Sequence, residues 1–280
     1  MQASAIAEQD TSPDAAYSRF RAAVAHAQFE NWLGELAQSQ SADGVPSPLG
    51  LAELVPPLGA APGGRVIDIS GPGAGTRNAE LAAKAGHSVL RVIPPGESPG
   101  EAAGTLMAAD ARQDRLRLAA ADGGLDFLAS NCADAVIAED RTLSRNLAAE
   151  EFVGEIARVL KPGGRVLASV DSLTLGMSVL AQQHHWPHLV DLPHADVVLV
   201  PWPDGSITRC YGAEHLRELF TGSGFEVSWL RPRTVFAPTT VGYLLDRDPG
   251  SFKQLVKAEL RARADDSVGD QLIISAVLAR

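Results

Sequence analysis

Cysteine is nearly missing from this chain: Cys132 and Cys210 are the only two in 280 residues, and neither belongs to a CxxC pair. That excludes a disulfide framework and a zinc finger, and both thiols read as reduced and partly core. Basic residues are also scarce. Lys and Arg total 24 against 34 Asp and Glu, a formal net charge of −10. Proteins that grip phosphate backbones rely on Lys and Arg to release counterions, so a nucleic-acid partner is not expected. No stretch approaches the roughly 18 apolar residues of a membrane span. The opening segment, MQASAIAEQDTSPD, lacks the basic and apolar regions of a signal peptide. The expectation is a cytoplasmic protein with no membrane partner.

What is present is ordinary globular composition, 45% hydrophobic and 21% charged. It suits one large α/β domain, with or without a small helical addition. Residues 15–40 follow a helical rhythm in which Phe29, Trp32, Leu33 and Leu36 share one stripe. A Gly/Pro/Ser linker, a short helical piece over 49–55 and a Pro/Gly stretch follow. The rhythm then changes. Short apolar strands are expected over 65–69, 88–93, 116–120, 133–138 and 165–170, with helices over 77–85, 101–110 and 148–160 between them. Lys161-Pro162-Gly163-Gly164 ends the last of these helices. Strands alternating with helices imply parallel βαβ units with right-handed crossovers, hence a doubly wound sheet. Beyond it, 173–185, 213–223 and 251–263 read as helices, and 225–230 and 271–279 as strands. The division expected is an N-terminal helical extension, 1–60, and one α/β domain, 61–280, with an insertion at about 171–212.

In a doubly wound sheet ligands bind beyond the carboxyl ends of the strands, and the first βα turn is where glycines matter. Here Gly71, Gly73 and Gly75 alternate with Pro72 and Ala74, and Asp68 closes the strand before them. Without Cβ atoms, backbone approaches a ligand closely, and the next helix offers free N–H groups. The carboxylate of Asp68 is suited to ordering the turn or meeting an amino group. A dinucleotide site fits less well, because the spacing is GxGxG and no acid closes the second strand.

The run VIDISGPGAGTRNAELAAKAGH, followed by AADGGLDF, ADAVIAED and FVGEIARVLKPGGRVLAS, resembles in order and spacing the segments of class I S-adenosylmethionine-dependent methyltransferases. RVLKPGGRVL and YGAEHLRELFTGSGFEVSWLRPR are similar to the small-molecule branch of that family. The resemblance implies a Rossmann-like, mostly parallel seven-stranded sheet with an N-terminal helical lid carrying Phe29 and Trp32. It implies S-adenosyl-L-methionine as cofactor, held by Asp68, Gly71, Gly73 and Gly75 at its methionyl end. Asp122 and Gly123 would stand at the adenine, and Glu139, with Asp140 beside it, near the sulfonium and the acceptor. Two departures stand out. The turn is one residue longer than the family's spacing, with Ser70 extra. The second strand ends Val92-Ile93-Pro94-Pro95, where an acid should take the ribose hydroxyls; Glu97 follows a few residues on.

Methyl transfer asks the protein mainly to align nucleophile and methyl and to exclude water. A base is needed only for a protonated nucleophile. The candidate bases are His184, His185 and His188, with His194 nearby, since a histidine titrates near neutrality. His184 and His188 would share a helix face, but Pro187 breaks that helix and no acid joins them, so no metal is expected. Trp186, Trp202 and Tyr211 are suited to stacking on an aromatic acceptor. With no Asn/Asp-Pro-Pro-aromatic motif after the fourth strand, the acceptor expected is a small molecule and the chain an O- or N-methyltransferase, allowing a homodimer. The alternative is a protein of this fold that transfers no methyl, a cyclisation or rearrangement catalyst or a partner subunit.

Overall fold

The computed structural model describes residues 13–41, 63–94, 97–98, 100, 115–121, 124–191, 195–202, 204–262 and 269–280. The helices expected over 49–55 and 101–110, and Asp122, Gly123 and His194, lie outside the described residues.

Five strands run parallel in the order β3-β2-β1-β4-β5. They are β1 (Arg65–Asp68), β2 (Ser88–Ile93), β3 (Leu116–Ala120), β4 (Ala133–Ala138) and β5 (Leu160–Ser172). On the far edge of β5 lies antiparallel β9 (Gln271–Leu278), and β8 (Phe225–Arg233) pairs antiparallel with β9. These seven make the expected sheet. Two further strands bring the total among the described residues to nine. The hairpin β6 (Val197–Pro201) and β7 (Ile207–Tyr211) joins the tail of β5, where Asp171 and Ser172 pair with Cys210 and Tyr211. The sequence pattern of this stretch is irregular, although Asp204-Gly205 between two apolar runs is a strong hairpin signal. Gly205, at φ 83°, supplies the left-handed residue such a turn needs.

Strand alternation sorts the side chains onto two faces. One face sends Ile67, Val92, Val136, Val166 and Ile274 against α4 (Ala149–Val159) and α7 (Ala213–Gly222). The other sends Val66, Val89, Ala135, Ile137, Leu167 and Ile273 against α2 (Arg77–Lys84) and the carboxyl half of α1 (Pro13–Ser41). Phe29 and Trp32 are both fully buried in that second layer. The N-terminal helix is therefore a wall of the core, and these two aromatics, expected to lie over a cofactor, lie against the sheet instead. The amino half of α1 packs Phe20 and Val24 against α8 (Pro238–Arg247) and α9 (Phe252–Glu259). A further cluster joins Val179 and Leu180 of α5 (Leu173–Gln182) to Val200 and Cys210 of the hairpin.

The segment Lys161–Gly164, expected to be a turn, is already strand. Leu160 pairs with Ala133, and a register irregularity between Ala133 and Ala135 absorbs the extra residues. Gly163, at φ 79°, is what lets the chain pass through.

Candidate functional site

The switch point of the sheet falls between β1 and β4, where consecutive neighbours leave in opposite directions. Beyond β1 the chain keeps pairing along β4: Ile69 N–H donates to Ile137 O at 2.8 Å and Gly71 N–H to Glu139 O at 2.8 Å. Ser70, the extra residue of the turn, serves this extension. Its hydroxyl donates to Asp68 Oδ1 at 2.5 Å and accepts from Glu139 N–H at 3.2 Å, and its own N–H donates to Asp68 Oδ1 at 3.0 Å. Asp68 thus orders the turn, one of the two roles expected for it. Its other oxygen, Oδ2, is buried without a partner among the described residues. Burial pushes the Asp68 carboxyl up, against the pull of Arg91 and Ser70.

Pro72–Ala74 then forms a single 3₁₀ turn, and Gly75, at φ 53° and ψ −141°, redirects the chain into α2. That conformation suits glycine alone. Gly71 and Gly73 are needed for a different reason. A Cβ on either would fall 2.7 Å from an oxygen of the Asp140 carboxylate. The close approach these glycines permit is used by the chain's own acid: Gly73 N–H donates to Asp140 Oδ2 at 2.7 Å.

Asp140 and Arg141 follow β4 with φ of 56° and 65°, two successive non-glycine residues in the left-handed region. Each costs on the order of 1 kcal/mol or more, so the surroundings must impose the bend. Ser169 Oγ accepts from Asp140 N–H at 3.0 Å. Arg141 pairs with buried Asp171 at 2.8 Å and lies 4.3 Å above the Trp202 ring. One helical turn, α3 (Thr142–Arg145), follows, with Thr142 Oγ1 donating between Ile69 O at 3.0 Å and Glu139 O at 2.8 Å.

Glu139, expected near the reacting centre, is buried in a bidentate pair with Arg233 at 2.8 and 3.1 Å, and Arg233 Nε donates to Gln28 of α1 at 2.6 Å. On β2 the missing acid is matched by an unexpected base. Arg91, opposite Asp68 in register, has a fully buried side chain. It donates to Ser70 O at 2.5 Å and to Glu97 Oε2 at 3.0 Å. Glu97, the possible replacement for the ribose acid, is therefore committed to Arg91. No sequence signal marks Arg91 or Arg233, because a lone arginine in a strand normally reads as solvent-facing.

Beside the glycine turn opens a cavity of about 420 Å³, within the range of small-ligand sites. Its walls come from the carboxyl ends of β1, β2 and β3 and from α3 and α4. Ile69, Val92, Pro94, Leu125 and Phe152 make it mainly apolar. Gly71 and Pro72 line it, Gly73 and Gly75 do not, and Arg145 is its one charged side chain among the described residues. Ala121 and Gly124, which flank Asp122 and Gly123 in sequence, both line it.

The histidines stand elsewhere. His184 and His185 are exposed beyond the carboxyl end of α5, with the His184 ring 5.8 Å from Trp186, and neither lines the cavity. His188 lies within a short helix, α6 (Trp186–Asp191). Trp186 is exposed, whereas Tyr211 is fully buried. Burial pushes the Cys210 thiol and the Tyr211 phenol each up to about 12, which removes both as nucleophile or base near neutrality. Among the described residues no three His, Cys, Asp or Glu gather as for a metal, and no helix is long and apolar enough to cross a membrane.

No protein-family model and no curated protein matches the chain. Solved structures do. A S-adenosylmethionine-dependent methyltransferase from Methanosarcina mazei superposes with TM-score 0.51 at 15% identity, over 78% of this chain and 94% of that one. The [4+2]-cyclase SpnF gives TM-score 0.51 at 20% identity, over 78% and 75%. Phosphoethanolamine N-methyltransferase 2 from Haemonchus contortus, solved with S-adenosyl-L-methionine, gives 0.51 at 17%, over 88% and 53%. The chain has the Rossmann-like fold of class I methyltransferases, as its sequence segments imply. At these identities the likeness is one of fold.

Proposed function

We propose that the chain is an S-adenosylmethionine-dependent methyltransferase acting on a small molecule. The observation that carries this reading is the apolar cavity of about 420 Å³ at the carboxyl ends of β1, β2 and β3, bounded by the glycine turn. A nucleoside is a flat, largely neutral group, and Val92, Pro94, Leu125 and Phe152 offer it apolar walls. Asp122 and Gly123 are assigned to the adenine. Gly71 and Arg145 stand on the side that would take the amino-acid end. When bound, the cofactor supplies a methyl group already activated on a sulfonium. The chain's share is alignment and dryness: Phe152 and Leu125 exclude water, and the Glu139–Arg233–Gln28 chain fixes the bend after β4. The excess of acids argues for a small-molecule acceptor. None of the described histidine side chains lines the cavity, so the reading favours an acceptor that needs no histidine base.

Calorimetry with S-adenosylmethionine and S-adenosylhomocysteine tests this. Micromolar binding is expected, and none at millimolar ligand would overturn it. Pro94→Asp places a carboxylate at the end of β2, where the ribose hydroxyls lack one. Each charge-assisted hydrogen bond is worth about 1.5–3 kcal/mol, so affinity should rise about tenfold or more.

One observation favours the second reading, a protein of this fold that transfers no methyl. The acids a cationic ligand would seek are taken by the chain's own groups: Asp68 and Glu97 by Arg91, Glu139 by Arg233, Asp171 by Arg141. Cofactor binding without methyl transfer to any of a panel of acceptors would decide for it.

A further inference from the structure

The backbone N–H groups of the glycine turn are almost all spent inside the backbone. Gly71 N–H goes to Glu139 O, Ala74 N–H to Gly71 O and Gly75 N–H to Pro72 O. Ser70 N–H holds the Asp68 carboxylate, and Gly73 N–H holds that of Asp140 at 2.7 Å. The seat is shaped for that group, since a Cβ on Gly71 or Gly73 would fill it. Arg145 stands at its edge. Its guanidinium lies 3.3 Å from where a Gly71 Cβ would be, it lines the cavity, and no carboxylate of the described residues reaches ion-pair distance of it. Asp140 is also held in the left-handed region, with Arg141 strained behind it.

We propose that Asp140 is an internal occupant of a carboxylate seat made by Gly73 N–H, with Arg145 at its edge, and that a ligand bearing an α-carboxylate must displace it. The physical case is competition. One N–H cannot serve two carboxylates at full strength, and two carboxylates beside it would repel each other. Arg145 lines the cavity and has no carboxylate of the described residues within ion-pair distance, so its guanidinium can meet the incoming group. Release of Asp140 also relieves backbone strain, which offsets part of the lost hydrogen bond. The chain thus carries an affinity brake that acts on the amino-acid end of a ligand and leaves a nucleoside end alone. This rests on the methyltransferase reading of the cavity.

Two probes separate the ends: S-adenosylhomocysteine, which has the α-carboxylate, and 5′-methylthioadenosine, which lacks it. Asp140→Gly removes the occupant and suits the left-handed backbone; Asp140→Asn keeps that backbone with a weaker, uncharged acceptor. Calorimetry should show S-adenosylhomocysteine tightening about tenfold on Asp140→Gly and by less on Asp140→Asn, with 5′-methylthioadenosine unchanged in both. Arg145→Ala should weaken S-adenosylhomocysteine alone by a similar factor. Thermal melts of the free variants confirm that the fold survives. If both probes bind and neither Asp140 variant gives a gain specific to the carboxylate, this inference is overturned and the methyltransferase reading stands. If neither probe binds any variant, both fall together.

Discussion

Two buried arginine–carboxylate pairs flank the switch point, and they are built differently. Arg233 meets Glu139 through two hydrogen bonds and passes its third nitrogen to Gln28, so the pair is closed. Arg91 stands 3.6 Å from Asp68, beyond hydrogen-bond reach, and spends itself on Ser70 O and Glu97. Asp68 Oδ2 and Arg91 Nε are left without partners among the described residues. The closed pair bolts β4 to β8 and α1. The open pair underlies the glycine turn, and its stranded atoms are buried behind it, away from the cavity lining. Two sites of the same composition thus differ in completeness: one is fully bonded and sets geometry, the other leaves buried bonding capacity unspent beneath the turn.

The largest effect should come from breaking the closed pair. Arg233→Met leaves Glu139 buried and uncompensated, which costs about 3–5 kcal/mol, visible as a sharply lowered denaturation midpoint. Arg91→Met should cost less, about 1–3 kcal/mol, because the Asp68 carboxyl is already pushed up by burial and takes a proton more readily. Its deficit should depend on pH. Below the ordinary carboxyl value of 3.8 both folded and unfolded Asp68 are protonated, and this part of the cost vanishes. As pH rises, the wild-type Asp68, held lower by Arg91, releases its proton before the variant's does, so the deficit grows. Urea titrations at several pH values would read this, and a deficit constant with pH would overturn it. The smallest effect belongs to an exposed pair used as reference. Arg209 holds the Glu150 carboxyl down to about 2. Stability from that pair is present above about pH 4.5 and lost as pH falls towards 2. Glu150→Gln should flatten this acid limb and cost under about 1 kcal/mol at neutral pH, since Glu150 is mostly exposed.

Much of the scaffold was legible because it depends on local signals. β2, β3 and β4 have the residue bounds that their apolar runs predict, and α1 follows its hydrophobic stripe. The hairpin β6–β7 and α8 were missed, the first because its prolines and tryptophan masked a turn signal that was present. At the site, the sequence marks residue types but not their partners. The glycines of the turn were read as room for a ligand, yet Gly71 and Gly73 make room for Asp140, 67 residues beyond Gly73. The absence of an acid on β2 was visible, while the arginine that inverts the charge there was not, since its burial depends on pairing with β1. Long-range pairing of charges is a property of the folded sheet, and no spacing in the chain announces it.

Helix α1 is one unbroken rod of 29 residues, about 43 Å long. Phe20 near one end belongs to the cluster with α8 and α9, Trp32 towards the other belongs to the sheet, and Gln28 between them touches the arginine that holds Glu139. A rod gripped at both ends cannot turn at one without turning at the other. The orientation of the residues after β4 is thereby indexed to packing far outside the cleft. Sequence drift among the apolar residues of α8 or α9 would act on this site as a change of alignment, without altering a single group that faces the cavity.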